Sequence, residues 1–206
     1  MRALLIVDVQ NDFLPGGALA VADGHQVIDV ANRMMRAPTV DVVVATGDWH
    51  PPNHGSFASQ HPGRHPFEQA TLDGLAQTLW PDHCVQFTHG ARLAGGLDDG
   101  RVHRVWLKGT DPSLDSYSAF YDNARRRGTG LAQWLRMQGV GRLMVLGLAT
   151  DYCVKNTVLD ALDLGFDTSV VVDGCRAVNL QPGDDERALE QMRAAGARLV
   201  ESRDVV

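Results

Sequence analysis

Five short apolar runs punctuate the chain: Ala3–Val9, Val40–Thr46, Arg104–Gly109, Arg142–Leu148 and Asp167–Asp173. They are continuous rather than alternating, the pattern of parallel strands covered on both faces. Between them the apolar spacing changes to three and four residues. Val27, Val30, Ala31 and Met34 mark a helix over Asp23–Arg36, with Asp23 placed to cap its start. A second helix is predicted at about Thr129–Gln138. A third follows the Arg142–Leu148 run, with Val154, Val158, Leu159 and Leu162 on one stripe and Gly165 closing it; a fourth spans Asp184–Ala195. Strands alternating with helices predict an α/β fold, a doubly wound, mainly parallel β-sheet flanked by helices on both faces, as in a Rossmann-type three-layer sandwich.

One region leaves this alternation. From residue 47 to about residue 100 the chain is rich in Pro, Gly, His and Asp and carries no long periodic run. It departs from the carboxyl end of the second predicted strand, where open α/β sheets build their sites, and is read as a metal and substrate loop within a single domain spanning residues 1–206. No GxGxxG follows the first strand, which argues against a dinucleotide site.

Composition narrows the class. A chain of 206 residues with 44% hydrophobic residues suits one globular core, and no apolar stretch is long enough for a membrane span. A formal charge of -6 argues against nucleic acid as partner and for a small molecule. Three cysteines, Cys84, Cys153 and Cys175, do not make a disulfide framework; a reducing, cytoplasmic setting fits them. Six of the eight histidines lie between His50 and His89, a density that points to metal or proton-transfer chemistry. His61, His65 and His89 lack close partners in sequence and are read as surface residues.

Three candidate chemical groups fall at strand ends. Asp8 closes the first run, Lys108 closes the third, and Cys153 opens the helix after the fourth. They should meet at one edge of the sheet. A cysteine in the first turn of a helix sees unpaired N–H groups and the positive dipole end, so a lowered thiol pKa is expected, with Lys108 lowering it further. Asp8, buried at the end of a central strand, is expected to have a raised pKa and to shuttle the proton. Backbone N–H groups at Cys153 and the preceding turn would form an oxyanion hole. Each residue alone has a plainer reading: a core thiol, a turn carboxylate, a solvated strand end. Their convergence favours a cysteine-dependent amide hydrolase. Cys84 and Cys175 are read as structural.

GDWHPPNHGSF supplies Asp48 and His50, and LWPDHCVQ supplies His83. Two imidazoles and a carboxylate with open positions describe a catalytic divalent site, suited to zinc, iron or manganese. His54 is a candidate fourth ligand and Ser56 a candidate holder of a metal-bound water. Phe13, Trp80 and Tyr117 could clamp a flat ring.

These pieces, in the order LLIVDVQNDF, TGDWHPPNHGSFASQHPG, LWPDHCVQ, WLKGTDPSLDSYSAF, VLGLATDYCVKNTVLDALDLGF and VVVDGCRAV, resemble the nicotinamidases of the isochorismatase-like cysteine hydrolase superfamily over nearly the whole chain. The resemblance implies a triad of Asp8, Lys108 and Cys153 and metal ligands Asp48, His50 and His83. It implies a cis peptide between Leu148 and Ala149, which turns the Ala149 and Cys153 N–H groups into the oxyanion hole. It further implies hydrolysis of nicotinamide to nicotinate and ammonia through a thioester on Cys153, a step of NAD salvage, with ring-substituted analogues such as pyrazinamide as further substrates. In that family the metal, zinc foremost, holds the pyridine nitrogen. The TDPSLDS stretch between Lys108 and Tyr117 is where substrate scope could differ; a homo-oligomer is compatible with the chain. Two rivals stand beside this reading: an amidohydrolase of N-carbamoyl or ureido compounds, which would lack the metal loop, and a non-catalytic metal-binding or flavodoxin-like module, whose thiol should resist alkylation at neutral pH.

Overall fold

The sheet grows outward in both directions from its first strand. In the computed structural model, which describes residues 1–205, the strands are β1 (Arg2–Val7), β2 (Val42–Asp48), β3 (Gln69–Leu72), β4 (Leu75–Thr78), β5 (Arg104–Lys108), β6 (Arg142–Leu148), β7 (Asp167–Arg176) and β8 (Arg198–Val200). The main sheet has the order β5-β2-β1-β6-β7-β8, and every pairing in it is parallel. The helices are α1 (Gln26–Met34), α2 (Leu131–Met137), α3 (Lys155–Asp163) and α4 (Asp184–Ala194). They flank the sheet on both faces, as a doubly wound α/β fold requires.

The apolar runs are unbroken because the central strands are covered on both sides. β2 is buried at every position, and β1 and β6 at all but their first residue. β5, at the edge, leaves Val105 and Leu107 exposed, while Trp106 between them packs against Trp134 of α2 with ring centroids 5.9 Å apart. The run expected at Arg142–Leu148 has those bounds. The first two are offset by one to two residues, and β7 runs three residues further than expected, to Arg176.

Three features depart from expectation. Asp23 does not cap α1: it sits at φ 55° and gives its carbonyl to the Gln26 N–H, and the helix starts after His25 with no side-chain cap. The region from 47 to 100 contains an antiparallel hairpin, β3–β4, turning through Asp73 at φ 49° and Gly74 at φ 81°. Positive φ at both turn residues is the hairpin geometry that Asp-Gly favours. The third helix opens with a π-helical turn, Thr150–Val154, before continuing as α3. Among the described residues no helix is long and apolar enough to cross a membrane.

The winding reverses between β1 and β6: the chain builds β1, β2 and β5 toward one edge, then returns to β6, β7 and β8 toward the other. The crevice beyond the carboxyl ends of β1 and β6 is the switch point where such sheets bind ligands.

Candidate active site

The strand ends at that crevice deliver the expected residues to one place. Asp8 directly follows β1 with φ 49°, a left-handed conformation that Asp tolerates and that turns the chain out of the sheet. Its Oδ1 accepts a 2.6 Å hydrogen bond from Thr46 Oγ1 of β2, and its Oδ2 lies 2.9 Å from Lys108 Nζ. Lys108, the last residue of β5, also donates to Asp48 Oδ1 at 2.5 Å, to the Ser116 carbonyl at 2.9 Å and to Cys153 Sγ at 3.4 Å. Carboxylate oxygens of Asp8 and Asp48 and the Cys153 sulfur lie within 4.8 Å of one another. All four side chains are buried.

Burial and charge act on this cluster in opposite directions. Burial pushes the Asp8 carboxyl up, against the pull of Lys108. For Asp48 the same burial is overcome by Lys108, His50 and His83, and its carboxyl is held well below the usual range. Lys108 is kept firmly charged: burial opposes its charge, but Asp48 and Asp8 outweigh it. The Cys153 thiol departs from expectation. Burial, together with Asp8 and Asp48, raises its pKa well above 9.0, and Lys108 offsets this only in part. A lone thiolate here would add a further negative charge beside two carboxylates. Moving the proton from sulfur to Asp8 adds none, so the cluster favours internal proton transfer over loss of the proton to solvent. It follows that slow alkylation at neutral pH does not distinguish an inert thiol from this one.

Cys153 lies in the π-turn rather than in a regular first turn of α-helix. Leu148–Ala149 is a cis peptide, and both Ala149 and Cys153 line the cavity described below. Asp151, two residues before Cys153, accepts from the N–H groups of Val178 and Asn179 at 3.0 and 2.9 Å, which ties the turn to the segment after β7.

Asp48 is shared with a second group. Its Oδ2 faces His50 Nε2 at 3.7 Å and His83 Nε2 at 3.9 Å. The other nitrogen of each ring is tied to a backbone carbonyl: His50 Nδ1 to Gly109 at 2.8 Å and His83 Nδ1 to Pro81 at 2.7 Å. Carbonyls accept only, so both rings hold a proton on Nδ1 and turn Nε2 toward Asp48, the orientation of metal-ligating histidines. Burial and His50 hold the His83 pKa down at about 4, whereas Asp48, against burial, pulls the His50 pKa up. Three ligand atoms of Asp48, His50 and His83 lie within 4.8 Å of one another, and the residues fit a divalent cation. Gly109 makes this approach possible: at φ 64°, a Cβ there would sit 2.4 Å from the His50 ring.

His54 sits against His50, ring centroids 4.2 Å apart, but groups with His50 and Asp115 rather than with Asp48 and His83. Its Nδ1 is 2.7 Å from Ser56 Oγ, which commits the Ser56 hydroxyl to His54, while its buried Nε2 has no partner among the described residues. Burial and the neighbouring His50 hold its pKa down at about 4.

A cavity of about 30 Å³ opens between Cys153 and the histidines, with Phe13, Trp80, Tyr117 and Tyr152 among its walls. The three expected aromatics all line it. Trp80 Nε1 donates to the Tyr117 hydroxyl at 3.3 Å, so these two form one wall, and Phe13 stands beside His83 at 5.5 Å.

Several site residues escaped the sequence reading. Gln10 donates to the carbonyls of Asp48 and Ala91, both at 2.8 Å, and accepts from the Asp48 N–H at 2.8 Å, fixing the end of β2. Asp115, within the flagged TDPSLDS stretch, is buried and accepts from Gln77 of β4 at 3.0 Å. Thr46, Gln77 and Tyr152 were missed as well. Gln10 and Thr46 each lie two residues from a predicted site residue, on extended backbone, which is the one signal that pointed to them.

A fold and site of this kind define a hydrolase of the α/β class, and residues 2–204 match the model of the isochorismatase domain. The chain belongs to the isochorismatase domain family. It is 56% identical to the nicotinamidase of Escherichia coli K12 over 96% of this chain and 93% of that one. Among solved structures, it superposes with TM-score 0.95 and 42% identity on an Acinetobacter baumanii nicotinamidase/pyrazinamidase, covering 100% of this chain and 98% of the other. A Pyrococcus horikoshii pyrazinamidase in complex with zinc gives TM-score 0.78 at 38% identity, covering 97% and 98%.

Proposed function

We propose that the chain hydrolyses nicotinamide to nicotinate and ammonia through a thioester on Cys153, as a step of NAD salvage, and that it accepts the related ring of pyrazinamide. The observation that carries this reading is that Cys153 and the histidine–carboxylate cradle open on the same small aromatic cavity. Such a cavity suits a flat heteroaromatic amide. The similarity to nicotinamidases and pyrazinamidases supports the substrate class.

In this mechanism Asp8 takes the proton of Cys153, and the sulfur attacks the carboxamide carbon. The N–H groups of Ala149 and Cys153 receive the developing oxyanion. Asp8 returns the proton to the amine, ammonia leaves, and Asp8 then draws a proton from the water that cleaves the thioester. Lys108, between Asp8 and Asp48, keeps this shuttle from adding uncompensated charge. Asp48, His50 and His83 would hold the cation, with zinc favoured by the two imidazoles and by the zinc-bound relative; when bound it supplies a Lewis-acid partner for the ring nitrogen. Phe13, Trp80 and Tyr117 bind the ring.

The test is ammonia release from nicotinamide by wild type and by Cys153→Ala, with an N-carbamoyl amide in parallel. Release from nicotinamide by wild type alone is expected. Turnover of the carbamoyl amide with none of nicotinamide would overturn the assignment.

A further inference from the structure

The catalytic cavity is small, and a larger one lies directly behind one of its walls. Tyr152, the residue before the nucleophile, lines both the cavity of about 30 Å³ and a neighbouring cavity of about 320 Å³. The larger space is bounded by the starts of α3 and α4, and its walls mix polar groups such as Lys155, Asn156, Asp184 and Arg187 with apolar surface that includes Ala188. Tyr117 touches both cavities too, but its hydroxyl accepts from Trp80 at 3.3 Å and Gln77 at 3.1 Å, which ties it to β4 and the residues just after it. The Tyr152 ring packs edge-on at 4.9 Å to Trp80 and 5.4 Å to Tyr117, with Thr78 beside its hydroxyl. Its backbone is fixed by the π-turn, where its carbonyl accepts from Asn156 Nδ2 at 2.9 Å.

We infer that Tyr152 is the specificity-determining partition of this site, closing the ring pocket against a preformed neighbouring cavity and so excluding heteroaromatic amides that carry an arm on the ring. Removing the ring joins the two spaces without moving Cys153, because the π-turn is anchored by Asp151 and Asn156 rather than by the Tyr152 ring. The joined space has room and hydrogen-bonding groups for a short hydroxyalkyl arm. Discrimination of this kind reaches about tenfold to a few hundredfold per small group.

This inference rests on the nicotinamide reading, and the experiment separates the two. The relative kcat/KM for nicotinamide and for a set of nicotinamides bearing a hydroxyethyl group at each open ring carbon is measured for wild type, Tyr152→Phe, Tyr152→Leu and Tyr152→Ala. For at least one regioisomer, wild type and Tyr152→Phe should discriminate against the arm by about tenfold or more. Tyr152→Leu should narrow that gap and Tyr152→Ala close it. Wild type accepting every regioisomer within about threefold of nicotinamide overturns the inference before any variant is considered, because no group that small would then be excluded. Unchanged ranking in a folded Tyr152→Leu or Tyr152→Ala overturns it as well. Wild type inactive on nicotinamide itself would instead remove the functional reading.

Discussion

Lys108→Met isolates the electrostatic core of this site. Met keeps the length of the side chain but removes the ammonium that lies 2.9 Å from Asp8, 2.5 Å from Asp48 and 3.4 Å from the Cys153 sulfur. Two carboxylates, almost wholly shielded from solvent, then face one another without a cation. Breaking a buried pair by removing one partner costs about 3–5 kcal/mol. For a chain of this length that corresponds to a fall in Tm of roughly 6–20 °C, at about 2–4 °C per kcal/mol. The pH dependence carries a sign. Asp48 has a depressed folded pKa, so its contribution is present at neutral pH and fades as pH falls; Asp8 has a raised one, so its ionised form costs stability at neutral pH and that cost disappears on acidification. Without Lys108 both pKa values rise, so the Tm gap between wild type and variant should be widest near pH 7 and narrow toward pH 4.5. The double variant Lys108→Met with Asp8→Asn should recover part of the loss. Thermal melts across that pH range are the assay. A gap that is under about 1 kcal/mol at pH 7, or that widens on acidification, would refute the reasoning.

Gly109→Ala forces a Cβ into the His50 ring and should lower metal affinity by about tenfold to a hundredfold, read by competition with a chromogenic chelator, while a full complement of tightly held metal would count against the cradle. His83→Ala should leave the thiol in place but abolish stoichiometric metal in the purified protein, as seen by elemental analysis. Thr46→Val removes the 2.6 Å hydrogen bond to Asp8 Oδ1 and should reduce kcat more than it raises KM, since it acts on the proton shuttle rather than on the ring. Alkylation of Cys153 in the absence of substrate should be slow at pH 7 and still climbing beyond pH 9, because burial raises the thiol; a plateau below pH 8 would contradict that cause.

Much of the site was legible because strand-end residues are fixed by topology. Once Val7, Asp48, Lys108 and Leu148 end parallel neighbours, Asp8, Lys108 and Cys153 must converge, whatever the details of packing. Asp48 and His50 share an extended spacing, and both reach the site. The thiol pKa was misread because helix position is a local property, whereas desolvation and the nearness of two carboxylates exist only after folding. The hairpin escaped because its strands have four residues each and half-exposed side chains, although Asp73-Gly74 marked its turn. Tyr152 and Gln77 escaped for a related reason: their roles depend on which loop lies across from them, and no periodicity encodes that.

The central claim is that Cys153 carries the acyl group. Wild-type protein mixed with nicotinamide and quenched in acid during turnover should yield a nicotinoyl adduct on the peptide containing Cys153, absent from Cys153→Ala and from protein quenched before substrate is added. Nicotinate formation by Cys153→Ala, or steady turnover with the adduct on another residue, would contradict the account.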